Sequence, residues 1–353
     1  MIETLGRETP SVATSPTSRL RARTVGLAVT VLVAAALFSI LSGPVAISPG
    51  GAVAELVDRL PLVDMRSGLS QRDADIVWQI RFPRVVLGAL VGAMLAMAGA
   101  AYQGVFRNPL VDPYLLGVAA GAGLGATIAF ARNAAGGPLL PVAAFVGAVV
   151  AVAATYSLGR TVGGRSTVTL VLAGVAVTSF FTAAQTYLQQ RSAIELRSLY
   201  SWLLGRLSTT GWSEVGVAAP YAMVAGVVLL LHRRLLDVMA VDDGEAASLG
   251  VNPSRVRMWV VLAATLGTAA AVAVSGLIAF VGIIVPHGIR LVFGVSYRRV
   301  LPLSGLIGAA FLVVADVAAR TLVSPAELPI GVVTAFLGAP FFLVVMRANR
   351  RLA

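Results

Sequence analysis

The sequence predicts an all-α polytopic membrane protein with about ten transmembrane helices per subunit, and three observations carry that prediction. Hydrophobic residues make up 58% of the 353 positions and charged ones only 12%, against about 25% charged in a soluble domain. The apolar residues fall into windows close to the ~20 residues that cross the hydrocarbon layer as a helix. Arginines gather at the edges of alternate windows, as cytoplasmic charges do in membrane proteins.

In order along the chain, residues 1–23 are rich in Ser, Thr and Pro and end in Arg19, Arg21 and Arg23, the composition of a disordered cytoplasmic tail. Residues 24–43 lack an A-x-A site and exceed a signal-peptide apolar region, which makes them an uncleaved first helix. A polar connection follows over 44–80, with an amphipathic helix expected around 51–60. Further windows lie at about 83–106, 114–131, 138–158, 168–188, 215–232, 258–275, 277–294, 300–321 and 329–346. Only Ser275-Gly276 separates the seventh span from the eighth. One transmembrane domain therefore covers 24–346, and 347–353 form a cytoplasmic C-terminal tail.

Placing the N-terminus in the cytoplasm puts 17 of the 27 basic residues on that side, although the longest connection lies on the other. Short loops carry the positive-inside rule, so both termini are expected in the cytoplasm. The 36 glycines, in runs such as Gly88-xxx-Gly92 and Gly117-xxx-Gly121, are read as close helix contacts.

Composition also excludes functions. Every basic residue is arginine, and a P-loop needs a lysine for the β- and γ-phosphates, so any ATPase that drives this chain is another polypeptide. No cysteine is present, and His232 and His287 are too few for a metal cage; no cofactor is expected. The basic excess follows membrane topology, so no nucleic-acid partner is expected.

Three constellations stand out. Within residues 81–125, Pro109 and Pro113 break the helix between two glycine-rich apolar stretches. In the 236–257 connection, Asp243 is read as the cap of a short helix through Glu245, Ala247 and Leu249, with Gly250 as its stop. Asn252-Pro253 then restarts a helix, giving a protruding knob that suits a cytoplasmic partner. Arg81, Arg84 and Arg320 sit at the opposite edge, where arginines either snorkel to headgroups or pair with carboxylates of an external protein. Asp316 is the one carboxylate inside an apolar window, four residues before Arg320, a local ion pair. Ion-coupled secondary transporters usually bury several such groups, and no convergent acid, base and nucleophile suggests a membrane enzyme.

The motifs RFPR at 81–84, RNPLVDPYLLG at 107–117, LVLAGVA at 170–176, FVGIIVPHGIRL at 280–291 and ELPIGVVTAFLGAPFF at 327–342 resemble those of the FecCD family. Its members are the permease subunits of binding-protein-dependent ABC importers for ferric siderophores, haem and cobalamin. The resemblance implies a type II ABC importer permease: a homodimer around a path lined partly by the second, fifth and tenth spans. Two copies of a P-loop ATPase and an extracytoplasmic binding protein would complete it, with no catalysis in this chain. By residue, it implies a cytoplasmic gate at Asn108, Leu110, Thr167 and Val168, and binding-protein docking at Arg81, Arg84 and Arg320. ATPase coupling would use Asp243, Glu245, Ala247, Leu249, Gly250, Asn252 and Pro253. An iron chelate is the expected cargo and cobalamin the near alternative; Val168 replaces a small polar residue of the well-known cobalamin importer.

Overall fold

The computed structural model describes residues 20–43, 45–59, 67–133, 137–163, 167–192, 194–207 and 211–350. The expected tail as far as residue 19, the loop at 164–166 and residues 351–353 lie outside them. Among the described residues the chain is helical throughout, without strands.

Helix α1 spans Ala22–Leu41, and the amphipathic α2 spans Pro49–Asp58, capped by Ser48 accepting from the Gly51 N–H. Gln71–Asp75 (α3) runs through a π-helical segment, Ile76–Arg81, into α4, Phe82–Val105. Then come α5 (Val118–Ala131), α6 (Leu139–Gly163), α7 (Thr167–Arg191), α8 (Leu196–Leu203) and α9 (Ser213–Met239). The chain continues with α10 (Asp243–Ser248), α11 (Pro253–Ser275), α12 (Val281–Phe293), α13 (Tyr297–Thr321) and α14 (Ile330–Arg350).

Seven of these helices are long and apolar enough to cross a membrane. The third, eighth and tenth apolar windows form shorter apolar helices, at Val118–Ala131, Val281–Phe293 and Ile330–Val345. Local chemistry sets two of these limits. Asn108 Oδ1 accepts from the Leu110 N–H at 3.0 Å and Asp112 Oδ1 from the Tyr114 N–H at 2.8 Å. These two side-chain turns, each before a proline, hold the backbone out of a helix as far as Gly117. At α12, Gly276 (φ +69°) stops α11, and the next helical turn starts only at Val281.

The non-helical backbone this leaves is satisfied inside the protein, the condition under which a membrane tolerates it. The Arg206 N–H donates to Ser275 O at 2.7 Å, Ile330 N–H to Gly205 O at 3.1 Å, and Gly331 N–H to Leu204 O at 3.0 Å.

Helix α4 is the centre of the chain, enclosed by α9, α11, α12 and α13. Backbones meet directly there: a Cβ on Gly92 would lie 2.2 Å from Gly308 O of α13, and one on Gly99 2.0 Å from Gly282 O of α12. Helices α5 and α6 use the same device at Gly121 and Gly147. By contrast α7 is mostly uncovered, with Val168, Leu172 and Phe180 between 64% and 70% exposed.

A methyl group at a backbone contact has nowhere to go. Gly99→Ala is expected to cost upwards of ~3 kcal/mol, lowering the thermal midpoint in detergent and the yield of monodisperse protein. Gly216→Ala, on α9 with open space around it, should be neutral or stabilise by up to about 1 kcal/mol. Equal midpoints for the two variants would refute the contact at Gly99.

Candidate functional site

Two polar assemblies stand at opposite ends of α4. At the end where the chain enters α4, Arg84 forms a fork. Its Nη2 lies 2.9 Å from Asp316 Oδ1 and 2.9 Å from Glu327 Oε2, while Nη1 reaches Glu327 Oε1 at 3.0 Å. Asp316 also pairs with Arg320 at 3.0 Å across one helical turn, as the spacing predicts. Arg320 continues to Ser42 O at 3.1 Å and Ser39 Oγ at 2.8 Å. Arg81, only 5% exposed, donates to Ile40 O at 2.7 Å and to Val45 O.

Arg81 and Arg320 thus satisfy carbonyls that the C-terminus of α1 leaves open, a placement its dipole favours. The sequence leaves the three arginines between headgroups and an external carboxylate; the structure gives them a third use. Arg81 and Arg320 are internal staples that fix the end of α1 to α4 and α13, and Arg84 joins α4 to α13 and to Glu327, so none of the three stands free. Glu327 is half-exposed, and the Arg84 hydrogen bond holds its carboxyl below the usual range.

At the other end, α4 terminates at Phe106 and the chain turns at Arg107, a non-glycine residue with φ +49°. Arg107 Nε donates to Met239 O at 2.8 Å, and its Nη2 pairs with Asp243 Oδ1. Asp243 Oδ2 lies 3.2 Å from Arg257 Nη2. One carboxylate therefore joins the turn after α4, the start of α10 and the first turns of α11.

The cap of α10 is Asp242, accepting from the Gly244 N–H at 2.8 Å, in place of the expected Asp243. That hydrogen bond, with others from neighbouring backbone N–H groups, lowers the Asp242 pKa. Asp243 misses the cap because it is already the first helical residue, with its side chain turned to the arginines. Gly250 stops the element at φ +78°, and Asn252 caps α11 by accepting from the Arg255 N–H at 3.1 Å, with Pro253 next. The knob rests on fully buried Ala246 and presents Glu245, Ala247 and Leu249, the last 71% exposed.

Of the residues expected at the gate, Asn108 and Leu110 are exposed on the turn beside Arg107, and Val168 is exposed at the start of α7. Thr167 opens α7, but its side chain is outside what is described. The turn is fixed from behind by Gln103, which donates to Val111 O at 3.2 Å and Gly282 O at 3.0 Å and accepts from Arg290. Tyr114 locks its far side: the hydroxyl donates to Ile278 O at 2.9 Å and accepts from the Ile278 N–H at 3.0 Å. Ser179, Thr182, Thr186 and Gln190 form an exposed polar stripe at helical spacing along α7, although α4, expected to line the path, is enclosed. Among the described residues no cluster of three metal-ligating side chains occurs.

The model of the FecCD transport family matches residues 31–348. The cobalamin import permease BtuC of Halobacterium salinarum is 42% identical over 283 residues, covering 80% of this chain and 76% of that protein. The hemin transport permease HmuU of Yersinia pestis is 38% identical over 288 residues, with 78% and 85% covered. A solved inward-facing ABC transporter assigned to the metal-chelate type superposes with a TM-score of 0.81 at 29% identity, covering 93% of this chain and 100% of its own.

Asp316→Asn would leave Arg84 and Arg320 without their shared carboxylate and is expected to cost ~3–5 kcal/mol, read as a large fall in the thermal midpoint in detergent. Glu327→Gln, at a half-exposed position, should cost about 1 kcal/mol or less. Because the folded pKa of Glu327 is depressed, its contribution is present at neutral pH. It is lost as pH falls below the ordinary glutamate value, about 4.3. A Glu327→Gln midpoint that differs from the parent most at pH 3.5 would reverse that sign and refute the pairing.

Proposed function

We propose, from the fact that the chain belongs to the FecCD transport family, that it moves an iron chelate, a ferric siderophore or haem, across the membrane by alternating access. It is the permease subunit of a metal-chelate type ABC importer. Two copies enclose the path, two P-loop ATPase subunits grip the α10 knobs, and a loaded binding protein delivers cargo at the opposite face. The observation that carries the reading is the Asp243 bridge: a carboxylate at the start of the knob holds Arg107, the residue next to Asn108 of the gate.

The chain contains no lysine for a Walker A site, so ATP acts on it from outside. A distant ATPase shifts the gate only if its two states favour different arrangements of the permease. A knob tied by ion pairs to the gate turn supports such a link. The path runs between two copies, where Leu110 and Val168 close it and the polar stripe of α7 faces water. The binding protein docks on the face that Arg81, Arg84 and Arg320 hold in shape. There an incoming carboxylate competes with Glu327 for the Arg84 fork. Cobalamin is the second reading, favoured by the identity to a cobalamin permease. The chain is a multi-pass membrane protein, and the arginine distribution supports cytoplasmic termini.

Asp243→Ala should reduce ligand-stimulated uptake in reconstituted vesicles at least tenfold while the ATPase still co-purifies. Normal uptake by that variant would refute the bridge as the link. Comparing binding protein loaded with a ferric siderophore, haem or cobalamin for stimulation of ATP hydrolysis assigns the cargo. Stimulation by cobalamin alone would replace the first reading with the second.

A further inference from the structure

A cavity of about 710 Å³ opens beside the gate turn, between the ends of α4 and α9 and the start of α13. Its charged lining is four arginines, Arg107, Arg290, Arg298 and Arg299, against one carboxylate, Asp237. That carboxylate is already engaged. It accepts from Ser296 Oγ at 2.9 Å and from the Tyr297 N–H, and it lies 3.6 Å from Arg298 Nε. It therefore answers the positive N-terminus of α13 and Arg298, leaving little for the other cations. Arg107 is held by Asp243.

The remaining two guanidinium groups have no carboxylate within ion-pair distance among the described residues. Arg290 directs Nη1 and Nη2 to the neutral Gln103 Oε1 and also hydrogen-bonds the Tyr297 side chain, so its partners bring no formal negative charge. Arg299 keeps a buried Nε with no hydrogen-bond partner. Two uncompensated guanidinium forks facing one cavity attract an anion with several oxygens, and the planar fork matches phosphate geometry.

Depth in the membrane points the same way. Helix α13 has 25 residues, about 37 Å of helix against ~30 Å of hydrocarbon, so its first turn reaches the headgroup layer. Leu291, Val292 and Val295, 70–72% exposed, lie next to the arginines in sequence, an apolar surface of the kind an acyl chain covers.

We infer that this four-arginine cavity is a binding site for a phosphate group, carried either by an anionic phospholipid headgroup or by free phosphate. The site is independent of the cargo. Because Arg107 borders both the cavity and the Asp243 bridge, an occupant would sit against the joint between knob and gate.

The test uses the full chain in detergent, titrated with phosphatidylglycerol or phosphatidylcholine and read by native mass spectrometry. The wild type should retain phosphatidylglycerol about tenfold more tightly than phosphatidylcholine, the equivalent of one charge-assisted hydrogen bond. Arg290→Gln with Arg299→Gln should abolish the preference, and Arg299→Lys should keep most of it. Thermal unfolding checks that the variants fold, and Arg299→Gln alone replaces the double variant if it does not. Displacement of the lipid by inorganic phosphate would assign the site to phosphate from any source; persistence of the lipid would assign it to the headgroup. A wild type that neither prefers phosphatidylglycerol nor responds to phosphate would overturn the inference, as would a preference that survives the Gln substitutions.

Discussion

Direct contact between helix backbones along α4 is the constraint from which the rest of the arrangement follows. In lipid the hydrophobic effect does not press one apolar helix against another, so cohesion depends on close van der Waals approach and on polar contacts. At Gly92 and Gly99 that approach has reached its limit, because the neighbouring carbonyl occupies the space where a side chain would begin. A helix held this way cannot rotate or slide without breaking contacts with α12 and α13 together. Its 24 residues act as a stave about 36 Å long. Arg84 and the Gln103 brace are placed on it, so their positions are fixed relative to one another.

A rigid stave needs a mobile counterpart if a site at one end is to respond to a partner at the other. The natural boundary lies where packing changes character. Helix α4 is enclosed and joined by glycine contacts, whereas the knob rests on one buried residue, Ala246, and on the ion pairs of Asp243. Ion pairs open to water are individually weak, but they fix direction. Asp243 connects Arg107 and Arg257, so it ties the knob to the turn after α4 and to the start of α11 together. The turn itself is braced from behind by Gln103 and Tyr114, which limits its movement to the exposed side carrying Asn108 and Leu110. That side faces away from the chain, where a second copy would supply the opposing wall.

What could be read in the sequence was whatever depends on neighbours along the chain. The Asn252-Pro253 restart, the Gly250 stop and the Asp316–Arg320 pair all express spacings of four residues or fewer, and the apolar windows express composition along one stretch of about twenty. The partners of the arginines depend on contacts that no spacing records: Arg84 meets Asp316 at a separation of 232 residues, and Arg107 meets Asp243 at 136. For that reason the sequence leaves Arg81, Arg84 and Arg320 between headgroups and an external carboxylate, and only the structure shows their partners within the chain. The third and eighth helices are shorter than their apolar windows for a different reason. Hydropathy cannot tell a helix from buried irregular backbone, and Asn-Pro, Asp-Pro and Ser-Gly pairs terminate helices without lowering the mean hydropathy of a window. The cap at Asp242 was missed by one residue because two adjacent aspartates fit the same rule.

The uncovered helix α7 separates lipid-facing from water-facing surface. A span wholly against hydrocarbon has no use for polar side chains, each of which would lose its partners in water. Val175 and Phe180 on α7 suit lipid or another apolar surface, but Ser179, Thr182, Thr186 and Gln190 recur at helical spacing on an exposed stripe. Thr186 partly satisfies itself by donating to Thr182 O at 2.9 Å, yet a glutamine amide has two donors and an acceptor to place. The polar stripe therefore belongs against water or a polar surface, and exposed Val168, at the start of the same helix, sets an apolar group at the end of that surface. A helix that carries a polar stripe between apolar positions on its uncovered side cannot have hydrocarbon on every side of it.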